Sequence, residues 1–157
     1  MHFSYYRVVR VTFLPLNSRE IPRVLILMSQ LYAQDAVPWD EDRSRKALTD
    51  LFADPDSGGI WLIQVDGATA GYVVLTICFS LEFHGRYGLV DELFIEEQWR
   101  SRGIGSEALG FAEEQCRVRG LKALRLEVDR KNVRAQELYR RRGFEVHDRY
   151  LMTRWVG

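Results

Sequence analysis

The residues best suited to chemistry stand together at Arg100-Ser101-Arg102-Gly103-Ile104-Gly105-Ser106. A helix start presents N–H groups without helical partners and carries about half a positive charge, which suits a phosphate. Gly103 and Gly105 let the backbone approach a ligand with no Cβ in the way. Arg100 and Arg102 add fixed positive charge, and the combination suits a pyrophosphate. The plain alternative is an ordinary tight turn, since a pair of glycines says little by itself. A P-loop is ruled out because no Gly-Lys-Ser/Thr follows, and a dinucleotide fingerprint because GxGxxG is absent and the helix starts at mid-chain. A second polar feature is the carboxylate pair Asp91-Glu92, just ahead of apolar Leu93-Phe94-Ile95. Strand neighbours point to opposite faces, so only one of the two can face a given cleft. The other should cap a backbone or pair with an arginine, because burying an unpartnered charge is costly.

These groups need elements to hold them. Tyr5–Thr12 is β-rich and reads as a first strand. Ser18 can cap a helix over Arg19–Ala33, with Ile21, Val24, Leu25, Met28 and Leu31 on one face and Pro22 tolerated in the first turns. Asp40 opens a second helix, stopped by Asp54-Pro55-Asp56-Ser57-Gly58-Gly59. A hairpin follows: Ile60–Val65, a turn at Asp66-Gly67, then Ala70–Leu81. The near-continuous apolar run from Tyr72 to Phe79 implies a strand covered on both faces. A polar loop over Glu82–Gly88 leads to a strand at Leu89–Ile95. A helix over Gly103–Arg119 carries a stripe of Ile104, Ala108, Phe111, Ala112 and Cys116. Then come a strand at Leu121–Val128, a helix from Asn132 to Gly143, and two last strands at Phe144–Val146 and Arg149–Trp155. The alternation gives a mixed α/β sheet with helices on both faces, in one domain spanning residues 1–157.

In order and spacing, the strand Leu93-Phe94-Ile95 followed by Arg100-x-x-Gly103-x-Gly105 resembles the signature of the GNAT superfamily of N-acetyltransferases. A second run, Leu126-Glu127-Val128, Asn132, Ala135, Leu138-Tyr139 and Gly143-Phe144, is similar to that family's next motif. Together they cover Leu89–Val146. Ser101 stands where many members carry Gly. The resemblance implies a mixed, mostly antiparallel twisted sheet of six to seven strands. It implies acetyl-CoA as co-substrate, with no metal, held by Leu93, Phe94, Ile95, Arg100, Ser101, Arg102, Gly103, Ile104, Gly105, Ser106, Asn132, Ala135 and Tyr139. The strand ending at Ile95 should part from the Leu121–Val128 strand so that its free amides pair with the pantetheine arm.

The chemistry so implied is direct attack of a primary amine on a thioester. A lysine-type amine has a pKa of about 10.4, so freeing it at pH 7 costs ~4.6 kcal/mol and calls for a proton acceptor. Asp91, at the position where relatives acting on polyamines or amino sugars carry a carboxylate, is placed first as base or amine anchor, and Glu92 second. Tyr139 matches the family's general acid and would protonate the leaving thiolate; its plain role would be packing. Asn132 reads as a helix cap, to which the resemblance adds a cofactor contact. The acceptor is expected to be cationic, either polyamine-like or a lysine or peptide amine. The rival from another class is a non-catalytic acyl-CoA-binding regulatory module.

Lys+Arg and Asp+Glu both number 22, so no net charge steers the chain to nucleic acid or to a membrane surface. Cys78 and Cys116 form no metal spacing and read as free thiols of a cytoplasmic protein; a homodimer is left open. Arg140-Arg141-Arg142 suits a solvated helix end. His84 reads as a surface residue. Trp39-Asp40-Glu41-Asp42 fits either an acidic acceptor site or an exposed helix start.

Overall fold

Alternating apolar side chains along the strands decide which helix covers which side of the sheet. The computed structural model describes residues 9–157. In chain order they form β1 (Val11–Pro15), α1 (Ile21–Gln34), α2 (Glu41–Ala53), β2 (Gly58–Val65), β3 (Ala68–Ser80), β4 (Gly85–Ile95), α3 (Ile104–Val118), β5 (Leu124–Leu126) and α4 (Val133–Arg141). The chain divides into two compact units, Met1–Glu127 and Val128–Gly157.

The first unit holds one sheet in the order β1-β2-β3-β4-β5, antiparallel throughout except for the parallel β4–β5 pair. On one side Ile60, Leu62, Tyr72, Val74 and Phe94 join Val24, Leu25, Leu27 and Met28 of α1 and Leu48 of α2 in a single buried cluster. The intervening strand residues Trp61, Ile63, Val73 and Leu75 are also buried. Phe111 of α3 stacks on Phe13 at 4.3 Å between ring centroids and meets Trp61 edge-on at 5.2 Å, so α3 covers the opposite side. There Gly88 of β4 lies so close to α3 that a Cβ would stand 2.6 Å from Cys116 Sγ. Cys116 is buried, and that burial pushes its thiol pKa up.

Helix starts follow local chemistry. The Asn17 side chain, rather than Ser18, accepts from Arg19 N and closes a short 3-10 turn at Ser18–Glu20, after which α1 begins at Ile21. Asp40 accepts from Arg43 N and caps α2. Strand β1 is later than expected from the β-rich run; residues 5–8 of that run lie outside the described residues. The polar stretch read as a loop over Glu82–Gly88 is half strand, because Arg86, Tyr87 and Gly88 pair with Phe79, Cys78 and Ile77. Strand β2 begins inside the glycine pair read as a stop, with Gly58 opposite Thr76.

In the second unit Asn132 Oδ1 accepts from Ala135 N at 3.1 Å, capping α4 as its sequence suggests. The two last strands expected at Phe144–Val146 and Arg149–Trp155 are not formed, so the sheet of the described residues has five strands rather than six to seven. β propensity yields a strand only where a partner completes the ladder. The backbone bonds here, Phe144 N to Tyr139 O and Arg149 N to His147 O, are local. No described helix is long and apolar enough to cross a membrane.

Candidate active site

Two features of β4 shape the site, and both occur next to Asp91. The register against β3 pairs Glu92 with Val74 but Val90 with Leu75, so Asp91 is one residue extra, a bulge. Strict alternation would put Glu92 on the same side as Val90 and Gly88, under α3. The bulge moves Glu92 to the other side, where α1 lies. The second feature is that β5 pairs with β4 only at Gly88–Leu124, Leu89–Arg125 and Val90–Leu126. Among the described residues, the outer edge of β4 has no partner strand beyond Val90, in line with what the family resemblance implied. Glu96 N donates to Ala70 O of β3 at 2.8 Å. Since a strand residue's N–H and C=O share a side and sides alternate, Leu93 and Ile95 turn theirs toward the open edge.

Glu92 stands among acids and phenols. Tyr72 Oη lies 3.4 Å from both carboxylate oxygens, and the Tyr32 hydroxyl of α1 also bonds to this carboxylate. Burial, then the neighbouring Asp91 charge and the more distant Asp35, raise the Glu92 pKa to about 7, although the two phenols pull it down. Burial and the Glu92 charge push Tyr32 up to about 12 and Tyr72 higher still. Asp91 is more exposed, and partial shielding from water alone lifts its carboxyl. Of the two carboxylates, it is thus the second-placed Glu92 that geometry embeds. Tyr72 and Tyr32 were not singled out by sequence; their phenols meet Glu92 only through the β3–β4 register and the bulge.

Residues 100–106 begin α3. Gly103 is the N-cap, with φ of +79°, and no side chain caps it. The first helical bond runs from Glu107 N to Gly103 O at 3.1 Å. The N–H groups of Ile104, Gly105 and Ser106 therefore have no acceptor within their helix. Ser101 has φ of +62°, a left-handed conformation that costs a side-chain-bearing residue roughly 1–2 kcal/mol and that glycine adopts freely. The Arg102 guanidinium sits over the Trp99 ring at 5.2 Å.

The remaining sequence candidates separate. Asp40 and Glu41 serve α2, the first as its cap and the second in a 2.8 Å pair with Arg45. Trp39 instead meets the Tyr32 ring edge-on at 5.4 Å. His84 lies exposed in the β3–β4 turn, at the end of β4 away from Glu92. In the second unit Tyr139 is half-buried, meets Phe144 edge-on at 6.0 Å, and has its phenol pKa raised by burial.

Comparison with known proteins bears on this arrangement. Residues 25–144 match the model of the acetyltransferase (GNAT) family. An uncharacterized N-acetyltransferase of Archaeoglobus fulgidus is 33% identical over 85 residues, 54% of this chain. The match spans 58% of that relative's length. An integron cassette protein from the mobile metagenome of Cole Harbour Salt Marsh superposes with a TM-score of 0.82 and 31% identity, over 92% of this chain and 90% of its own. The aminoglycoside N-acetyltransferase AAC(6')-Iy, solved in complex with CoA, shares the fold at a TM-score of 0.79 and 16% identity, over 96% of this chain and 97% of its own. With the family model running through both the open edge of β4 and the start of α3, the chain belongs to the acetyltransferase (GNAT) family.

Proposed function

We infer that the protein transfers an acetyl group from acetyl-CoA to a primary amine by direct attack. The observation that carries this reading is the parting of β4 from β5 after Val90, which leaves backbone donors free beside a carboxylate of raised pKa. In this reading Leu93, Phe94 and Ile95 line the pantetheine arm, and the Ile95 N–H polarises the thioester carbonyl. The N–H groups of residues 103–106, with Ser101 and Arg102, hold the pyrophosphate. In the same reading Asn132 and Ala135 are cofactor contacts and the chain is one domain, in keeping with a family match that runs over residues 25–144.

Glu92 is the proton acceptor, directly or through a water. Its raised pKa matches the demand: it is a stronger base than an ordinary carboxylate yet substantially ionised at neutral pH. Asp91 and Asp35 add negative charge around Glu92. An ammonium substrate would supply a counter-charge, which favours a cationic acceptor. Tyr139, kept protonated by its raised pKa, donates to the departing thiolate.

The test is thiol release from acetyl-CoA against a panel of primary amines, with Tyr139→Phe beside the parent. Turnover with an amine, and a loss of roughly 10²-fold or more in kcat with CoA affinity kept, is the expected result. Equal turnover by Tyr139→Phe would remove it from the mechanism. CoA binding without turnover of any amine would leave a non-catalytic acyl-CoA-binding module.

A further inference from the structure

Arg100 opens the glycine-rich loop, where its charge reads as a phosphate contact. Its guanidinium is engaged elsewhere. Nε donates to Ile95 O at 2.8 Å, and Nη2 donates to Gln34 Oε1 at 2.6 Å. The guanidinium carbon lies 5.6 Å from the centroid of the Phe94 ring. One planar group therefore binds the last residue of α1, the last residue of β4 and the buried aromatic beside it. A planar fork can hold two acceptors in fixed directions; a lysine ammonium offers only a point charge on a flexible stem.

The two ends of this bridge have different duties. Gln34 lies two residues after Tyr32, whose hydroxyl bonds to Glu92, and one before Asp35, whose charge Glu92 also feels. Ile95 is the open-edge residue whose N–H and C=O share a side. With its carbonyl taken by Arg100, that peptide edge presents a donor rather than a competing acceptor.

We propose that Arg100 is a positioning residue, bridging Ile95 to Gln34 so that the acceptor wall on α1 is held at a fixed distance from the acyl end of β4, and that it is not a pyrophosphate ligand. This rests on the acetyl-transfer reading above for its functional consequence, and on the hydrogen bonds alone for its structural one. Neither bond is buried, so each is worth modestly little alone; their value lies in closing one geometry.

The experiment compares Arg100→Met, Arg100→Lys, Gln34→Leu and the Gln34→Leu/Arg100→Met pair. It measures CoA affinity by titration, kcat and KM for the best amine of the panel, and amide hydrogen exchange over residues 31–35. Arg100→Met and Arg100→Lys should raise the amine KM alike, about 5- to 10-fold, with CoA affinity within about 3-fold of the parent. Gln34→Leu should reproduce the KM change, and the double variant should add little, because both singles break one contact. Exchange at 31–35 should quicken in all four. A large loss of CoA affinity in Arg100→Met that Arg100→Lys restores would make Arg100 a phosphate ligand and overturn the proposal. So would an unchanged amine KM in Gln34→Leu. If the parent turns over no amine, the acetyl-transfer reading fails by itself, and unaltered exchange at 31–35 would then sink the bridge as well. Gln34→Leu alters an exposed residue and keeps the test open should Arg100→Met fold poorly.

Discussion

Strand β4 is two regions joined at Asp91. Before it, Gly88, Leu89 and Val90 are paired on both sides, and Gly88 is wedged against Cys116 of α3. After it, residues 92–95 are paired on one side only among the described residues, face α1 through Glu92 and Phe94, and carry the acids and phenols. The first region satisfies every local rule of a buried strand. The second breaks two of them, with an unpaired edge and a half-buried carboxylate, and functional sites are where such breaches are expected. One extra residue makes the difference, because it swaps the face on which Glu92 emerges.

The contrast can be tested most severely at Glu92. Glu92→Gln should lower kcat by roughly 10²–10⁴-fold while the protein stays folded. The parent's pH–rate profile should ascend near 7, and Glu92→Gln should lose that limb. A parent-like profile would place the base elsewhere.

Damage to the other region should read as stability. Gly88→Ala would force a Cβ to within 2.6 Å of Cys116 Sγ and 3.0 Å of Leu75 Cδ1. Overpacking of this kind costs about 1–3 kcal/mol, seen as a lower urea midpoint, with little change in the pH profile of whatever folds. If Gly88→Ala instead shifted the pH limb, the two regions would not be separable.

Stability should also depend on pH in a direction set by Glu92. Its folded pKa, about 7, lies above its ordinary value of 4.5, so between these the folded state binds more protons. The proton-linked stabilisation is therefore fully present below about 4.5 and is lost as pH rises through about 7. The loss should be on the order of 1–3 kcal/mol by denaturant titration and absent in Glu92→Gln. Stability rising over that window in proportion to Glu92 would contradict the burial argument.

The smallest effect belongs to Tyr72→Phe. The phenol lowers the Glu92 pKa by donating to it, so its loss should move the rate limb upward by about half a unit and cut kcat/KM near pH 6 about 3-fold. A downward shift would mean that Tyr72 acts on Glu92 otherwise than by this bond.

Much of this frame could be read from the residues. The apolar stripes of α1 and α3, the caps at Asp40 and Asn132 and the turn at Asp66-Gly67 are local patterns, and they stand where the sequence put them. The glycine-led start of α3 was legible for the same reason. The phenols around Glu92 were not, since Tyr32, Tyr72 and Glu92 are brought together by strand register and by packing of α1, which no short window encodes. Strict alternation also misjudges any strand with an extra residue, and Asp91 carries no composition signal for a bulge. The last strands failed for a related reason: a β-rich run such as 149–155 states a preference, and pairing decides the outcome.

The contact between Gly88 and Cys116 has a further use. A thiol sealed beneath a strand, its ionisation suppressed, should resist alkylating reagents while the sheet and α3 remain closed. Labelling of Cys116 therefore becomes a clock for the opening of that layer. Compared with labelling of the half-buried Cys78 further along β3, it would time how often the framework breathes, without any ligand or turnover.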